Sequence, residues 1–414
     1  MKTLLKNAKL LDANYSGEML DVLVEDKKIL AIGKNLEAEE VIDLSGCTLL
    51  PGFIDAHVHV AVNEGKFTDD AIRAWVWNGV TSVRELGMLS TLPMEDYAAW
   101  LKEVNENPGY ARVVATGKYI DIQGGYGCGP EPSKVVGNVV SSVEEAEAMV
   151  EKAHELGFPG IKIGISDGMP GAPRMSDEMI KAICGKCKEL GMWTACHIGL
   201  SETLQTMVSC GITETGHTPG DEMPQSLIEE MVKKGVAMNT TVGDPDKEMG
   251  PPPGMMEKMM GGMPGGPGGP GGPGGMPGGP GGPGGMMFDP KAMAEKKKQQ
   301  AKFMRENLRR FYEAGGKIAI GTDLIHSSDY MKEATIPTVE LRHLYEVGLP
   351  FREVIKTGTI YPAELIGTAA EEGTIEVGKL ANLIAVPGQV DGTFKALENV
   401  PFVMHYGTVV KNQL

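Results

Sequence analysis

Phe53-Ile54-Asp55-Ala56-His57-Val58-His59 decides how the chain is read. An apolar opening and a polar close are the pattern of a buried strand whose last positions reach a site. Side chains alternate along a strand, so His57 and His59 share one face. Further strand-like stretches follow at Val80–Glu85, Arg112–Thr116, Gly160–Ile165, Trp193–His197, Ile212–His217, Val236–Thr241 and Ile318–Asp323. Amphipathic helical patterns fit between them at Asp70–Asn78, Val143–Leu156, Ser176–Leu190 and Glu202–Cys210. These close on Gly79, Gly157, Gly191 and Gly211, the residue type favoured just past a helix end. Alternating strand and helix predicts a parallel sheet. Eight such units predict an α/β fold of the (β/α)8 TIM-barrel kind, with its active side chains at the C-terminal strand ends.

Outside that region both ends look all-β. Short β-rich runs occur at Thr3–Leu11, Asp21–Glu25, Lys28–Ile32, Glu40–Asp43 and Thr48–Leu50, and again at Gly373–Ile375, Asn382–Val386, Val400–His405 and Thr408–Lys411. They predict a small β-sandwich domain composed of residues 1–52 and 371–414, flanking a barrel over 53–370. Residues 250–290 are dominated by Gly, Pro and Met, a composition that cannot bury a core. They predict a disordered insertion after the seventh barrel strand, on the catalytic face. Glycine falls at every third position over part of it, but the run is too short and too Gly-rich to favour a triple helix.

Composition narrows the function classes. Among 414 residues, 39 Lys and Arg face 55 Asp and Glu, a formal charge of −16. Such an acid excess argues against a nucleic-acid binder and against docking on an anionic membrane. No run approaches the roughly 18 apolar residues of a spanning helix, and the opening residues turn polar before a signal-peptide core forms. Six cysteines in so long a chain make no disulfide framework. The expectation is a reduced, cytoplasmic protein. Cys184 and Cys187 form a C-x-x-C inside a helical pattern and are read as packing.

The polar residues expected at barrel strand ends are His57 and His59 on the first strand, Lys162 on the fourth, His197 on the fifth, His217 on the sixth and Asp323 on the eighth. Any one alone has an ordinary structural explanation. Four of the chain's eight histidines at strand ends, with a lysine that would be costly inside a barrel as a bare cation, point together to a metal site. Arg84, ending the second strand, and Tyr126, in the Gly124-Gly125-Tyr126-Gly127 loop after the third, are candidate substrate contacts. An ion pair is the competing reading for Arg84.

This set, in order along the strands, resembles the metal pattern of the amidohydrolase superfamily. Leu50–His59 is similar to its first-strand signature, and Gly373–Leu383 to its return into the terminal β domain. The twenty-residue step from His197 to His217 resembles the imidazolonepropionase-like and Xaa-Pro-dipeptidase-like group. Lys162 resembles the lysine that the dipeptidase-like members carboxylate. Two departures stand out: Tyr126 occupies a position often held by His, and Gly216-His217-Thr218 replaces Glu-His-Gly.

The resemblance implies two divalent ions, Zn²⁺ foremost, with CO2 held as a carbamate on Lys162 (N6-carboxylysine). It implies His57, His59 and Asp323 on one ion, His197 and His217 on the other, and the carbamate between them. A bridging hydroxide would attack an amide or peptide carbonyl of a dipeptide such as Xaa-Pro, or of an N-acyl amino acid, with Asp323 moving the proton. The alternatives are a mononuclear cyclic-amide hydrolase or deaminase, and a non-catalytic barrel with an assembly arm. A homo-oligomer is compatible with the resemblance.

Overall fold

The computed structural model describes residues 2–60, 69–88, 90–126, 128, 137–167, 173–244, 290–325 and 334–414. Nearly all of the insertion expected at 250–290, and Gly127 of the third-strand loop, lie outside the described residues.

The two ends of the chain share a sheet. Lys2–Leu11 pairs antiparallel with Ser16–Glu25, which pairs with Lys28–Gly33. Lys2–Leu11 also takes two parallel partners, Glu40–Asp43 along its first half and Cys47–Pro51 along its second. Cys47–Pro51 continues antiparallel to Leu383–Pro387, then Phe402–His405 and Thr408–Asn412. The strands expected as a sandwich are therefore hydrogen-bonded as one eight-stranded sheet, because Lys2–Leu11 is long enough to hold two neighbours in tandem. Leu5, Leu10, Val24, Leu49, Leu383 and Phe402 form a core of its own, separate from the main one. Gly373–Ile375 is irregular rather than a strand. The Ile375 N–H goes to the Asp12 carboxylate at 2.6 Å, so a side chain satisfies it in place of a ladder.

Between these termini the strands pair in parallel and follow chain order. Leu324–Ile325, Phe53–His59, Val80–Glu85 and Arg112–Ala115 form one ladder. Ile120–Asp121, Gly160–Ile163, Trp193–Cys196 and Glu214–Thr215 form a second, with Asn138–Val139 at its edge. Ala237 bridges Glu214, and Met238–Asn239 pairs with Ile318–Ala319. The Ala56 N–H donates to Ile320 at 2.9 Å, linking the eighth strand to the first.

The third strand is broken. Arg112–Ala115 faces the second strand and Ile120–Asp121 faces the fourth. Gly117 lies between them at φ +68°, packed so closely that an added Cβ would stand 3.0 Å from the Phe158 ring.

Helices Asp70–Trp77, Met94–Glu106, Val143–Glu155, Asp177–Glu189, Ser201–Cys210, Gln225–Lys234 and Pro290–Glu313 lie between the strands. Thr338–Glu346, Phe351–Thr357 and Ile360–Leu365 follow the eighth. The Ser142 and Ser176 hydroxyls cap two of them, each accepting an N–H three residues on at 3.2 Å. Trp75, Val83, Tyr97, Ile163 and Leu227 belong to the main apolar core. Among the described residues no helix is long and apolar enough to cross a membrane.

Candidate metal centre

The first strand ends with two buried imidazoles whose tautomers follow from their neighbours. His57 Nδ1 lies 2.6 Å from the Gly216 carbonyl oxygen, and His59 Nδ1 lies 2.8 Å from that of Gly87. A carbonyl only accepts, so each Nδ1 carries a proton and each Nε2 is turned toward Asp323. Both Nε2 atoms stand 3.2 Å from one oxygen of Asp323. Burial, the Lys162 ammonium and other nearby imidazoles hold His57 well below the ordinary histidine range, despite the Asp323 carboxylate, so it is neutral. Burial alone would raise the Asp323 carboxyl, but the surrounding imidazoles outweigh it and hold it well below the usual range. Two imidazole Nε2 atoms and a carboxylate oxygen thus converge on one point. Two imidazole nitrogens and a carboxylate oxygen this close are a donor set that could hold a divalent cation, and the carbonyl partners are the outer contacts typical of histidine ligands.

Asp323 reaches this position through its backbone. Its φ of +56° is left-handed, and its N–H donates to the His57 carbonyl at 2.7 Å. Gly321 makes room for that approach, since a Cβ there would fall 2.8 Å from the His57 Cβ. Asp55, from the opening motif but without an assigned role in the sequence reading, secures both strands. Its carboxylate accepts the N–H of His57 and both the N–H and hydroxyl of Thr322. Burial raises it to about 7. An aspartate directly after the apolar opening of the strand is the available signal.

A second pair of imidazoles stands alongside. His217 Nε2 and His197 Nδ1 are 3.0 Å apart, and His217 Nδ1 is 3.1 Å from the Thr241 hydroxyl. Burial, chiefly, lowers His197 to about 2 and His217 to about 4. Lys162 is 3% exposed, and its Nζ has no hydrogen-bond partner among the described residues. Burial lowers its ammonium to about 8. His57, His59, Lys162, His197 and His217 line one cavity together with Tyr126, Tyr119, Leu86 and Gly164. The Tyr126 ring stacks on His197 with centroids 4.0 Å apart.

Arg84 lies elsewhere. It is fully buried inside the ring of strands, where it ion-pairs with Glu214 at 2.5 Å, donates to the Ala56 carbonyl at 2.7 Å and stacks over Trp193 at 4.8 Å. Its competing reading, a structural ion pair, is the one found. Trp193 in turn covers Gly160, where a Cβ would meet the indole at 2.1 Å. Cys184 and Cys187 are buried and unpaired on their helix.

The fold and centre described above have relatives. The model of the Amidohydrolase family matches residues 48–411, and the chain belongs to that family. The family generally uses a binuclear divalent-metal site, which the donor set above fits. In sequence the chain is 33% identical to a dihydroorotase of Syntrophotalea carbinolica over 126 residues, 28% of this chain and 29% of that protein. It is 38% identical to an allantoinase of Enterococcus faecalis over 78 residues, 17% of each. The chain thus spans less than a third of the length of these curated relatives. In structure it is similar throughout to a prolidase complexed with N-methylphosphonate-L-proline, with TM-score 0.74, 20% identity and full coverage of both chains. A Xaa-Pro dipeptidase with bound methionine in the active site gives TM-score 0.73 and 23% identity, again over the whole of both chains. These neighbours share a TIM-barrel-type α/β fold with this chain.

Proposed function

We propose that the chain is a binuclear metal-dependent hydrolase of amide C–N bonds in small substrates, with Xaa-Pro dipeptides and N-acyl amino acids the first candidates. The observation that carries this reading is the convergence of the His57 and His59 Nε2 atoms on the Asp323 carboxylate, beside a second imidazole pair and the buried Lys162 amine. His57, His59 and Asp323 would hold one ion, and His197 and His217 the other. Histidine and carboxylate donors suit zinc.

Lys162 resolves its own burial by carboxylation. Its neutral Nζ would add to the carbon of CO2: the N–C bond forms as one C=O π bond opens onto its oxygen, and the nitrogen loses a proton to water. The product, N6-carboxylysine, is an anion placed between the two imidazole sets. When bound, the metal pair supplies Lewis acidity for the scissile carbonyl and for the attacking water. Asp323 takes the water's proton and passes it to the departing nitrogen, as base and then acid. Its carboxyl is ionised at neutral pH, as that order requires. Tyr126 forms an aromatic wall over His197, against which a substrate side chain or proline ring would rest.

The second reading is hydrolysis of a cyclic amide such as dihydroorotate or allantoin, the compounds named in the partial relatives. Full-length similarity to prolidase-like structures favours the linear substrate. A cytoplasmic, two-domain enzyme with residues 1–52 and 371–414 as one unit accords with both. The test is metal content per chain with intact mass, followed by turnover of a Xaa-Pro and N-acyl amino acid panel beside those two cyclic amides. The expected result is two ions, a carbamate mass and linear-amide cleavage. One ion, a plain lysine and cyclic-amide cleavage would overturn it.

A further inference from the structure

The seventh-strand loop is held by a carboxylate outside the centre. Glu340 is 2% exposed, in the first turn of helix Thr338–Glu346. Its two oxygens accept the N–H of Val242 at 3.2 Å and of Gly243 at 2.6 Å. One turn along, His343 Nε2 lies 2.9 Å from the Gly243 carbonyl oxygen, so the ring N–H donates there. Both polar groups of Gly243 are therefore fixed by one helix. On the other side, the N–H groups of Thr240 and Thr241 donate to Ala319 and Gly321 of the eighth strand, at 3.1 and 3.0 Å.

Thr241, between these anchors, has φ +47°. A β-branched residue in the left-handed region is a true outlier, and it persists only where its surroundings over-determine it. The conformation has a visible product: the Thr241 hydroxyl stands 3.1 Å from His217 Nδ1. Released to an ordinary φ, the hydroxyl would leave the imidazole.

We propose that Glu340 is a positioning residue for the His197–His217 metal position, acting by holding Thr241 in its left-handed conformation so that its hydroxyl fixes the His217 ring with Nε2 facing the metal. This rests on the two-metal reading above. Partners of this kind typically change metal affinity 10–100-fold when removed.

The test uses the full chain loaded with Co²⁺, comparing wild type with Thr241→Val, Thr241→Ser and Glu340→Gln. Bound equivalents are followed against a graded chelator. His217 tautomers are read on metal-free protein by long-range ¹H–¹⁵N correlation. In wild type and Thr241→Ser, Nδ1 carries the proton and two equivalents are held. In Thr241→Val and Glu340→Gln the second equivalent is released at about tenfold lower chelator while the first is kept, and the Nδ1–H population falls. Thr241→Val keeps the shape of the side chain, so it reads the hydroxyl even where Glu340→Gln unfolds. Equal loosening of both equivalents, or unchanged retention with an unchanged tautomer, would overturn the proposal. A wild type holding one equivalent, with the tautomer still dependent on Thr241, would instead overturn the two-metal reading and leave the positioning role standing.

Discussion

Gly216 and Lys162 are in such close contact that a methyl group on the glycine would lie 2.2 Å from the lysine Nζ. It would also lie 2.6 Å from the Cys196 carbonyl oxygen, which is backbone and cannot swing aside. Gly216 thus vacates the space beside the amine where the carbamate would grow. Its own carbonyl meanwhile fixes the His57 tautomer. Gly216→Ala is expected to lower bound metal and to destabilise the fold by about 1–3 kcal/mol, the usual range for overpacking. Metal analysis and thermal unfolding on the same preparation check both halves.

Carboxylation of Lys162 carries a pH signature. Burial lowers its ammonium from the ordinary lysine range to about 8, so the reactive neutral amine gains population as pH rises through about 8. Metal-free protein given Zn²⁺ at a fixed concentration of dissolved CO2 should regain activity faster at about pH 8 than at about pH 6.5. Lys162→Arg should not respond to CO2. An activation rate independent of pH and CO2 would count against the carbamate.

Asp323 combines ligation with proton transfer. Asp323→Asn keeps an oxygen near His57 and His59 but loses the base. Turnover should fall by about 10²–10⁴-fold or more while most of the metal stays. Steady-state kinetics with metal analysis decides, and hydrolysis near the wild-type rate would remove Asp323 from the mechanism.

Arg84 and Glu214 form a fully buried ion pair. Arg84→Met leaves the Glu214 carboxylate without its guanidinium and should cost about 3–5 kcal/mol. Arg84→Met with Glu214→Leu should recover most of that loss, because the charge left behind disappears. Denaturant unfolding of the two variants measures the difference.

The parts of this molecule that could be read from sequence are those with a short-range signal. Strand-and-helix alternation is local, and so is a histidine two places from another on one strand face. His57, His59, Lys162, His197, His217 and Asp323 are legible at the ends of strand patterns, and the fold brings them to one cavity or its edge. Arg84 shows the limit. Its position at a strand end says nothing about which way the barrel interior lies until Glu214 and Trp193, far along the chain, are seen around it. The broken third strand is equally silent, because Gly117 is demanded by Phe158 rather than by its neighbours in sequence. Glu340 left no trace because its partners are backbone N–H groups, which every residue but proline possesses. The terminal strands were recognisable, but their union in one sheet follows from the length of Lys2–Leu11, not from any single strand's composition.

That shared sheet sets an order on synthesis. Cys47–Pro51 needs Leu383–Pro387 as its neighbour, and nearly the whole barrel is made between the two. While the chain is emerging from a ribosome, the strand that leads into His57 has an open edge, able to pair with any extended segment nearby. Leu383–Pro387, made after the barrel, closes it. The strand that leads into the metal centre is thus made before the barrel and gains this neighbour only after it.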